Sequence, residues 1–268
     1  MARHPFRVCW RLVFFLGVSL AALLDFLFRE SWRERGGVDH RRRARWMRRW
    51  SPHFLRVLSV QVEISGHPPA RGVLVCNHLS YVDIPLLGAS RPMIFVSKQE
   101  VRSWPVIGWL TRSAGTLFLN RGRKGDVTAV GAQFQPVIDC GLPVTIFPEG
   151  TSSDGHRVLP FRSSLLEPAA ANGWPVSAAW IGYWLEDDSV GAEVCYWGDM
   201  TFFPHFLNLL SKREVRARMA FGPPLEPGLD RKEMSRRLHA EVVRLGKEFA
   251  FAKPAADHPA TASGPNKS

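Results

Sequence analysis

Residues 73–83 read VLVCNHLSYVD. Val73 to Cys76 form a short apolar run, half of it β-branched, closed by Asn77; that is the pattern of a buried strand. Asn77 and Ser80 are turn and cap residues, and Pro85 is tolerated early in a helix, so the stretch reads as strand, loop and helix. His78 and Asp83 are five residues apart. In one continuous helix that spacing would leave their side chains about 140° apart. They meet only if His78 lies in the loop and Asp83 in the first helical turn. There the carboxylate can accept from one imidazole nitrogen, fix the tautomer and leave the other nitrogen as a general base. A satisfied histidine beside a helix cap is the structural alternative. Its place at the end of a buried strand, where α/β proteins build their sites, favours the chemical one.

The same pattern recurs on both sides. Short apolar runs bounded by Gly, Pro or Asn predict strands at residues 60–64, 94–96, 116–119, 144–147 and 176–181. Residues 54–60 predict a short amphipathic helix. Val127, Val130, Phe134, Val137 and Ile138 predict another, with Asp126 as N-cap and a kink or early stop at Pro136. Residues 214–221 alternate strictly, with Val215, Ala217, Met219 and Phe221 on one face and Arg216 and Arg218 on the other, as in a half-exposed strand. A last helix begins at Asp230, with Glu233 three residues on as in a capping box, and carries the stripe Met234, Leu238, Val242, Leu245 and Phe249. Strands alternating with helices predict an α/β fold: a mixed, mostly parallel sheet flanked by helices.

The N-terminal part differs. Residues 12–28, LVFFLGVSLAALLDFLF, are apolar except for Ser19 and Asp25. Seventeen helical residues reach about 25 Å, a little short of a ~30 Å hydrocarbon layer. A cleaved signal peptide is not expected, because no small-x-small site follows. HRRRARWMRRW at residues 40–50 then mixes Arg41, Arg42, Arg43, Arg45, Arg48 and Arg49 with Trp46, Met47 and Trp50. The mixture suits a lipid headgroup layer, with guanidinium groups on phosphates and indoles at the boundary. The chain carries 35 Lys and Arg against 24 Asp and Glu, a net charge of +11, which calls for an anionic partner. Beside a long apolar run, an anionic membrane surface is the expected partner and nucleic acid is not. The helix either spans or lies flat. If it spans, the arginines that follow it outnumber Arg3, Arg7 and Arg11, placing the main domain at the cytoplasmic face of the inner (plasma) membrane. The expected organisation is a membrane-associated segment at residues 1–50, a catalytic domain at 51–253 and a disordered tail at 254–268. Cys9, Cys76, Cys140 and Cys195 form no C-x-x-C pair; they are expected as reduced core thiols, and no metal site follows from them.

Two more motifs sit at strand ends. FPEGTSS, residues 147–153, offers Glu149 and a sharp turn at Gly150, although a Pro–Gly turn with an exposed Glu would read the same. GTLFLNR, residues 115–121, places Arg121 just past a strand, where its planar fork suits a phosphate. Arg123 and Lys124 follow, so a solvated charge run is its bland counterpart.

NHLSYVD, GTLFLNR and FPEGTSS, in this order, together resemble the 1-acylglycerol-3-phosphate acyltransferase (lysophosphatidic acid acyltransferase) family, with its N-H-x4-D, G-x-x-F-x-x-R and F-P-E-G-T. The likeness covers residues 73–183, about two-fifths of the chain. It implies that His78 is the general base and Asp83 its orienting partner. Arg121 would bind the acceptor's phosphate, and Glu149, Gly150 and Thr151 would shape the acceptor pocket. It further implies a lysophospholipid acceptor and an acyl thioester donor, acyl-CoA or acyl carrier protein, with no further cofactor. WPVSAAWIGY, residues 174–183, keeps the family's Pro175 and Val176 but has Ala179 and Trp180 where a second Pro is usual. The expected acceptor is the free hydroxyl of 1-acylglycerol-3-phosphate, in phospholipid biosynthesis, and the departure keeps another lysolipid such as a lyso-aminolipid as the alternative. Residues 97–110 resemble a family segment that contacts the acyl chain or the membrane, here with Trp104 and Trp109.

No G-x-S-x-G elbow, Walker A loop or G-x-G-x-x-G fingerprint occurs, which disfavours a serine lipase, a nucleotide hydrolase and a dehydrogenase. A nucleic-acid-binding protein built on the arginines, and a non-catalytic lipid-binding membrane protein, are the rivals from other classes.

Overall fold

A computed structural model describes residues 4–30, 38–119, 131–186 and 189–250. Arg121, Arg123, Lys124, Asp126, Val127, Val130 and the expected tail at 254–268 lie outside the described residues. Two helices come first, α1 (Pro5–Asp25) and α2 (His40–Val57). Then follow β1 (Val60–Ser65), β2 (Gly72–Cys76), α3 (Asp83–Ser90), β3 (Ile94–Lys98), α4 (Ile107–Ser113) and β4 (Leu117–Leu119). The second half holds α5 (Phe134–Asp139), β5 (Pro143–Ile146), α6 (Glu167–Asn172), β6 (Val176–Trp184), α7 (Val190–Glu193), α8 (Phe202–Ser211), β7 (Val215–Pro224) and α9 (Arg231–Phe249).

The strands form one sheet in the order β1-β7-β6-β2-β5-β3-β4. Every pairing is parallel except β6 with β7. The expected mixed, mostly parallel sheet is therefore present. β2 lies in the middle, buried along its whole length, with Leu74 and Cys76 in one core layer and Val73 and Val75 in the other. The first layer packs under α1, α2, α3 and α8, and the second under α5 and α9. β7 keeps the alternation expected of it: Val215, Ala217 and Met219 are buried, and Arg216 is exposed.

Several local expectations are corrected. Of the helix expected at residues 54–60, residues 54–57 are the last turn of α2, which runs unbroken across residue 50 and through Pro52, and the chain then turns into β1. Proline removes one hydrogen bond, but burial of Leu55, Val57 and Leu58 outweighs that loss. Asp230 does cap α9, accepting from the backbone of Lys232 and Glu233. Glu233 does not reach back to close the box; its carboxylate is held by Arg236 and Arg237 instead. Ser80 caps nothing with its hydroxyl, and the N-cap of α3 is Val82. Of the four thiols only Cys76 and Cys195 are buried; Cys9 is exposed on α1 and Cys140 half-buried.

One helix among the described residues, Pro5–Arg29, is long and apolar enough to cross a membrane. Its inner face, Val8, Phe15, Val18 and Ala22, packs on the domain, with Phe15 against Phe206 of α8 at 4.8 Å between ring centroids. Both ends are tied down. Arg7 and Arg11 donate to the carbonyls of Ser211 and Leu210 at the C-terminus of α8, at 2.8 and 3.1 Å. Asp25 accepts from Arg49 and from the Trp50 indole, at 2.7 and 2.9 Å. Phe6, Trp10, Val13, Phe14, Leu16, Leu20 and Leu24 point outward. Trp46 is not at a boundary: it is 1% exposed, packed edge-on against Phe26 and Trp109. Arg41 and Arg43 donate to the carbonyls of Cys140 and Arg112, and Arg42 pairs with Asp39, so three of the arginines serve the fold.

Candidate functional site

β2 ends at Cys76, and the side chain of Asn77 continues its pairing. The amide donates to the carbonyl of Ile181 on β6 at 2.9 Å, and its oxygen accepts from the Ile181 N–H at 2.8 Å. This double bond clamps the start of the loop, so the next residue leaves the strand in a fixed direction. That residue is His78. Asp83 opens α3, and its Oδ2 meets His78 Nδ1 at 2.8 Å. The arrangement required of the five-residue spacing is thus present, with the histidine in the loop and the aspartate in the first turn.

Asp83 is fully buried. A bare carboxylate there would be costly, so every lone-pair direction needs a donor. Oδ2 also accepts from the backbone N–H of Leu79 and Ser80, at 2.7 and 3.0 Å. Oδ1 accepts from the Tyr183 hydroxyl at 2.6 Å. The start of α3 adds the favourable end of its helix dipole. With Nδ1 facing an acceptor, Nδ1 carries the hydrogen and Nε2 is left with its lone pair. The imidazole lies flat on Phe147, with ring centroids 4.1 Å apart, and borders an apolar cavity of about 410 Å³. Cavities of roughly 300–1,000 Å³ are the usual size of small-molecule sites. Trp50, Phe54, Val101, Trp104, Ile107 and Leu110 form much of its wall, and Gly150, Thr151 and Ser152 border it near His78. Trp104 is on the cavity wall as part of the segment at residues 97–110; Trp109 packs with Phe26 and Trp46 instead.

Glu149 does not face this cavity. It is 3% exposed and braces the loops: Oε1 accepts from the His78 N–H at 3.0 Å, and Oε2 from the Leu159 N–H at 3.2 Å. Ser153 N–H donates to the His78 carbonyl at 2.9 Å. Both backbone groups of His78 are therefore held by the FPEGTSS segment. Gly150 makes the turn at φ 80°, in the left-handed region that favours glycine. His78, Asp83, Glu149, Gly150 and Thr151 are brought together; Arg121 lies outside the described residues. Among those residues no group of three or more His, Cys, Asp or Glu could hold a metal ion. Sequence reasoning missed Tyr183. Alternation along β6 could have found it, because Ala179, Ile181 and Tyr183 share the layer of Leu74 and Cys76. Trp180, the departure in the fourth motif, faces the opposite layer and packs against Gly246 of α9, away from His78.

Burial pushes the Glu149 carboxyl from its ordinary 4.5 up to about 7, with Asp83 adding to the rise and the two backbone donors opposing it. Between those pH values the unfolded chain has released the proton and the folded chain keeps it. Stability is therefore expected to fall as pH rises across this window, by on the order of 3 kcal/mol, and then to level off. Denaturant unfolding at pH 5, 6, 7 and 8 checks this. Wild type should lose stability up to about pH 7, and Glu149→Gln should lack that component. Parallel profiles for the two proteins would contradict it.

An α/β enzyme with a half-buried His on a buried Asp beside an apolar cavity is the class that fold and site define. The Acyltransferase family profile matches residues 59–182. The chain is 36% identical over 246 residues to the lyso-ornithine lipid O-acyltransferase of Pseudomonas aeruginosa, covering 89% of this chain and 90% of that one. It is 34% identical over 155 residues to the 1-acyl-sn-glycerol-3-phosphate acyltransferase of Neisseria meningitidis, covering 53% and 61% of the two chains. The fold matches the crystal structure of the 1-acyl-sn-glycerophosphate acyltransferase PlsC of Thermotoga maritima, with a TM-score of 0.61, 19% identity, and coverage of 92% of this chain and all of that one. The chain belongs to the acyltransferase family that includes these lysolipid enzymes, and it is an acyl-transferring enzyme.

Proposed function

We propose that this enzyme esterifies the free hydroxyl of a lysolipid with an acyl group from a thioester, acyl-CoA or acyl carrier protein, with His78 as general base. The observation that carries the reading is the His78 Nδ1 to Asp83 contact beside a cavity able to take an alkyl chain. His78 Nε2 takes the acceptor's hydroxyl proton as that oxygen attacks the thioester carbonyl. The carbon–oxygen bond forms, the carbon–sulfur bond breaks, and the proton passes from the imidazolium to the departing thiolate. Asp83 holds the ring in register and balances its transient positive charge. No protein nucleophile is needed.

The acceptor is read as a lyso-aminolipid of the lyso-ornithine kind, because a relative with that name aligns over most of the chain. The second reading, 1-acylglycerol-3-phosphate, rests on relatives aligned over about half of it and on GTLFLNR. Arg121 separates the two. If a phosphomonoester is bound, Arg121→Ala should raise the Michaelis constant for lysophosphatidate by about ten- to a hundredfold, the 1.5–3 kcal/mol of a hydrogen bond to a charged group. For a lyso-ornithine acceptor the constant should stay within about twofold. Steady-state kinetics of both proteins on both acceptors decide between the readings.

The enzyme works on a membrane surface, with residues 51–253 as the catalytic unit and α1 lying in the interfacial plane. A 21-residue helix is about 32 Å long; its start is bonded to α8 and its end to Arg49 and Trp50 of α2. An interfacial helix keeps those bonds and immerses its outer apolar face. Arg45 and Arg48, exposed on α2, suit the anionic lipids of a cytoplasmic leaflet.

A further inference from the structure

We propose that Tyr183 is a positioning residue for acyl transfer, its hydroxyl holding the Asp83 carboxylate in the orientation that aligns His78. The inference rests on the reading of His78 as general base. Oδ2 of Asp83 serves His78 and two backbone N–H groups of its own loop. Those three donors all sit on one oxygen and come from one local segment, so they tie the carboxylate only to its own loop. The bond from Tyr183 to Oδ1 comes from a different strand, 100 residues away in sequence. It ties the second oxygen to the sheet, outside the loop to which the other three bonds belong.

β6 is the element that Asn77 grips through Ile181, two residues before Tyr183. One strand therefore sets both the start of the catalytic loop and the orientation of the carboxylate at its end. The geometry needs the hydroxyl as a donor. Burial and the neighbouring Asp83 push the Tyr183 phenol well above its ordinary range, so it stays protonated. Its ring is 7% exposed, in the core layer shared with Cys76, Leu79 and Ile181. Phenylalanine fills the same space and removes only the donor. An O–H bond to a buried carboxylate is among the stronger hydrogen bonds, and its loss leaves Oδ1 without this partner in a dry site.

Four purified proteins test the proposal: wild type, Tyr183→Phe, Asp83→Ala and the double variant, with His78→Ala as control. Tyr183→Phe is expected to lower kcat by about ten- to a hundredfold, the scale of one charge-assisted hydrogen bond, with KM for both substrates within about twofold. In the Asp83→Ala background the same change should alter kcat by less than about twofold, since a residue acting through Asp83 has nothing left to position. A role in packing alone would slow both backgrounds equally, and that outcome, or wild-type kcat in Tyr183→Phe, overturns the proposal. If His78→Ala itself turns over normally, the general-base reading fails, which is a different result from an idle Tyr183 beside an essential His78.

Discussion

Replacing His78 by Ala is expected to lower the acyl-transfer rate by at least ~10²-fold, the usual scale for removal of a general base. The side chain is 21% exposed and its ring rests on Phe147 at the cavity edge, so little packing is lost with it. The loop is held through the His78 backbone, by Glu149 and Ser153, and an alanine keeps both bonds. Thermal unfolding should therefore shift only by the loss of one donor to Asp83, about 1–3 kcal/mol, while turnover collapses. Because the imidazole acts as the acceptor is deprotonated, the loss should fall on kcat more than on KM. Asp83→Asn should also slow the reaction, since an amide cannot offer an acceptor to Nδ1, Leu79, Ser80 and Tyr183 alike. A His78→Ala enzyme that folds and turns over near the wild-type rate would end the general-base account. Quenched-flow or radiolabel assays with matched unfolding curves supply both measurements.

The second large effect concerns the membrane. Phe14, Leu20 and Leu24 lie on the outer face of α1, 43–56% exposed, and none borders the cavity. Exchanging all three for Gln preserves a helix-forming composition and removes three apolar side chains from the proposed lipid contact. At about 1.5–3 kcal/mol for a fully exposed side chain, and with roughly half of each still exposed, the loss is about 2–4 kcal/mol, or roughly thirty- to a thousandfold in partitioning onto vesicles. Activity on short-chain, monomerically soluble substrates should survive. Deleting the helix outright is a poorer test, because Val8, Phe15, Val18 and Ala22 are part of the core and Phe15 borders the cavity. Vesicle sedimentation measures the triple variant, and partitioning unchanged from wild type would contradict an interfacial α1. Arg45→Gln with Arg48→Gln should weaken binding to anionic vesicles only. Arg41 and Arg43 are unsuited to that test, being bonded to segments outside α2, and Arg42 pairs with the Asp39 that caps the helix.

The contrast between those arginines shows what a sequence can carry. Local patterns were legible: β2 is a continuous apolar run, β7 alternates, and α9 has both a capping aspartate and a clean stripe. Each depends on near neighbours. The pair His78 and Asp83 was legible for the same reason, since its geometry is decided within one turn of chain. What depends on distant segments was not. Trp46 stands in a run of arginines and reads as interfacial until Ala22 and Phe26 of the first helical segment cover it. Glu149 reads as a carboxylate at the strand-end rim that shapes the acceptor pocket, yet it is buried and braces the loop around His78. Tyr183 becomes part of the site only because β6 lies beside β2, and strand order is a property of the whole sheet. The continuation of α2 through Pro52 is likewise tertiary packing prevailing over local preference.

The central claim is that this chain moves an acyl group onto a lysolipid with His78 as its base. The most direct measurement uses purified enzyme in mixed micelles with isotopically labelled acyl-CoA or acyl carrier protein. A panel containing lyso-ornithine lipid, lysophosphatidate and other lysolipids is then followed by mass spectrometry. Wild type is expected to produce an acceptor heavier by one labelled acyl group, with release of one thiol per ester formed, and His78→Ala almost none. Thiol release with only free fatty acid, no ester on any acceptor, or equal ester formation by both proteins would contradict it.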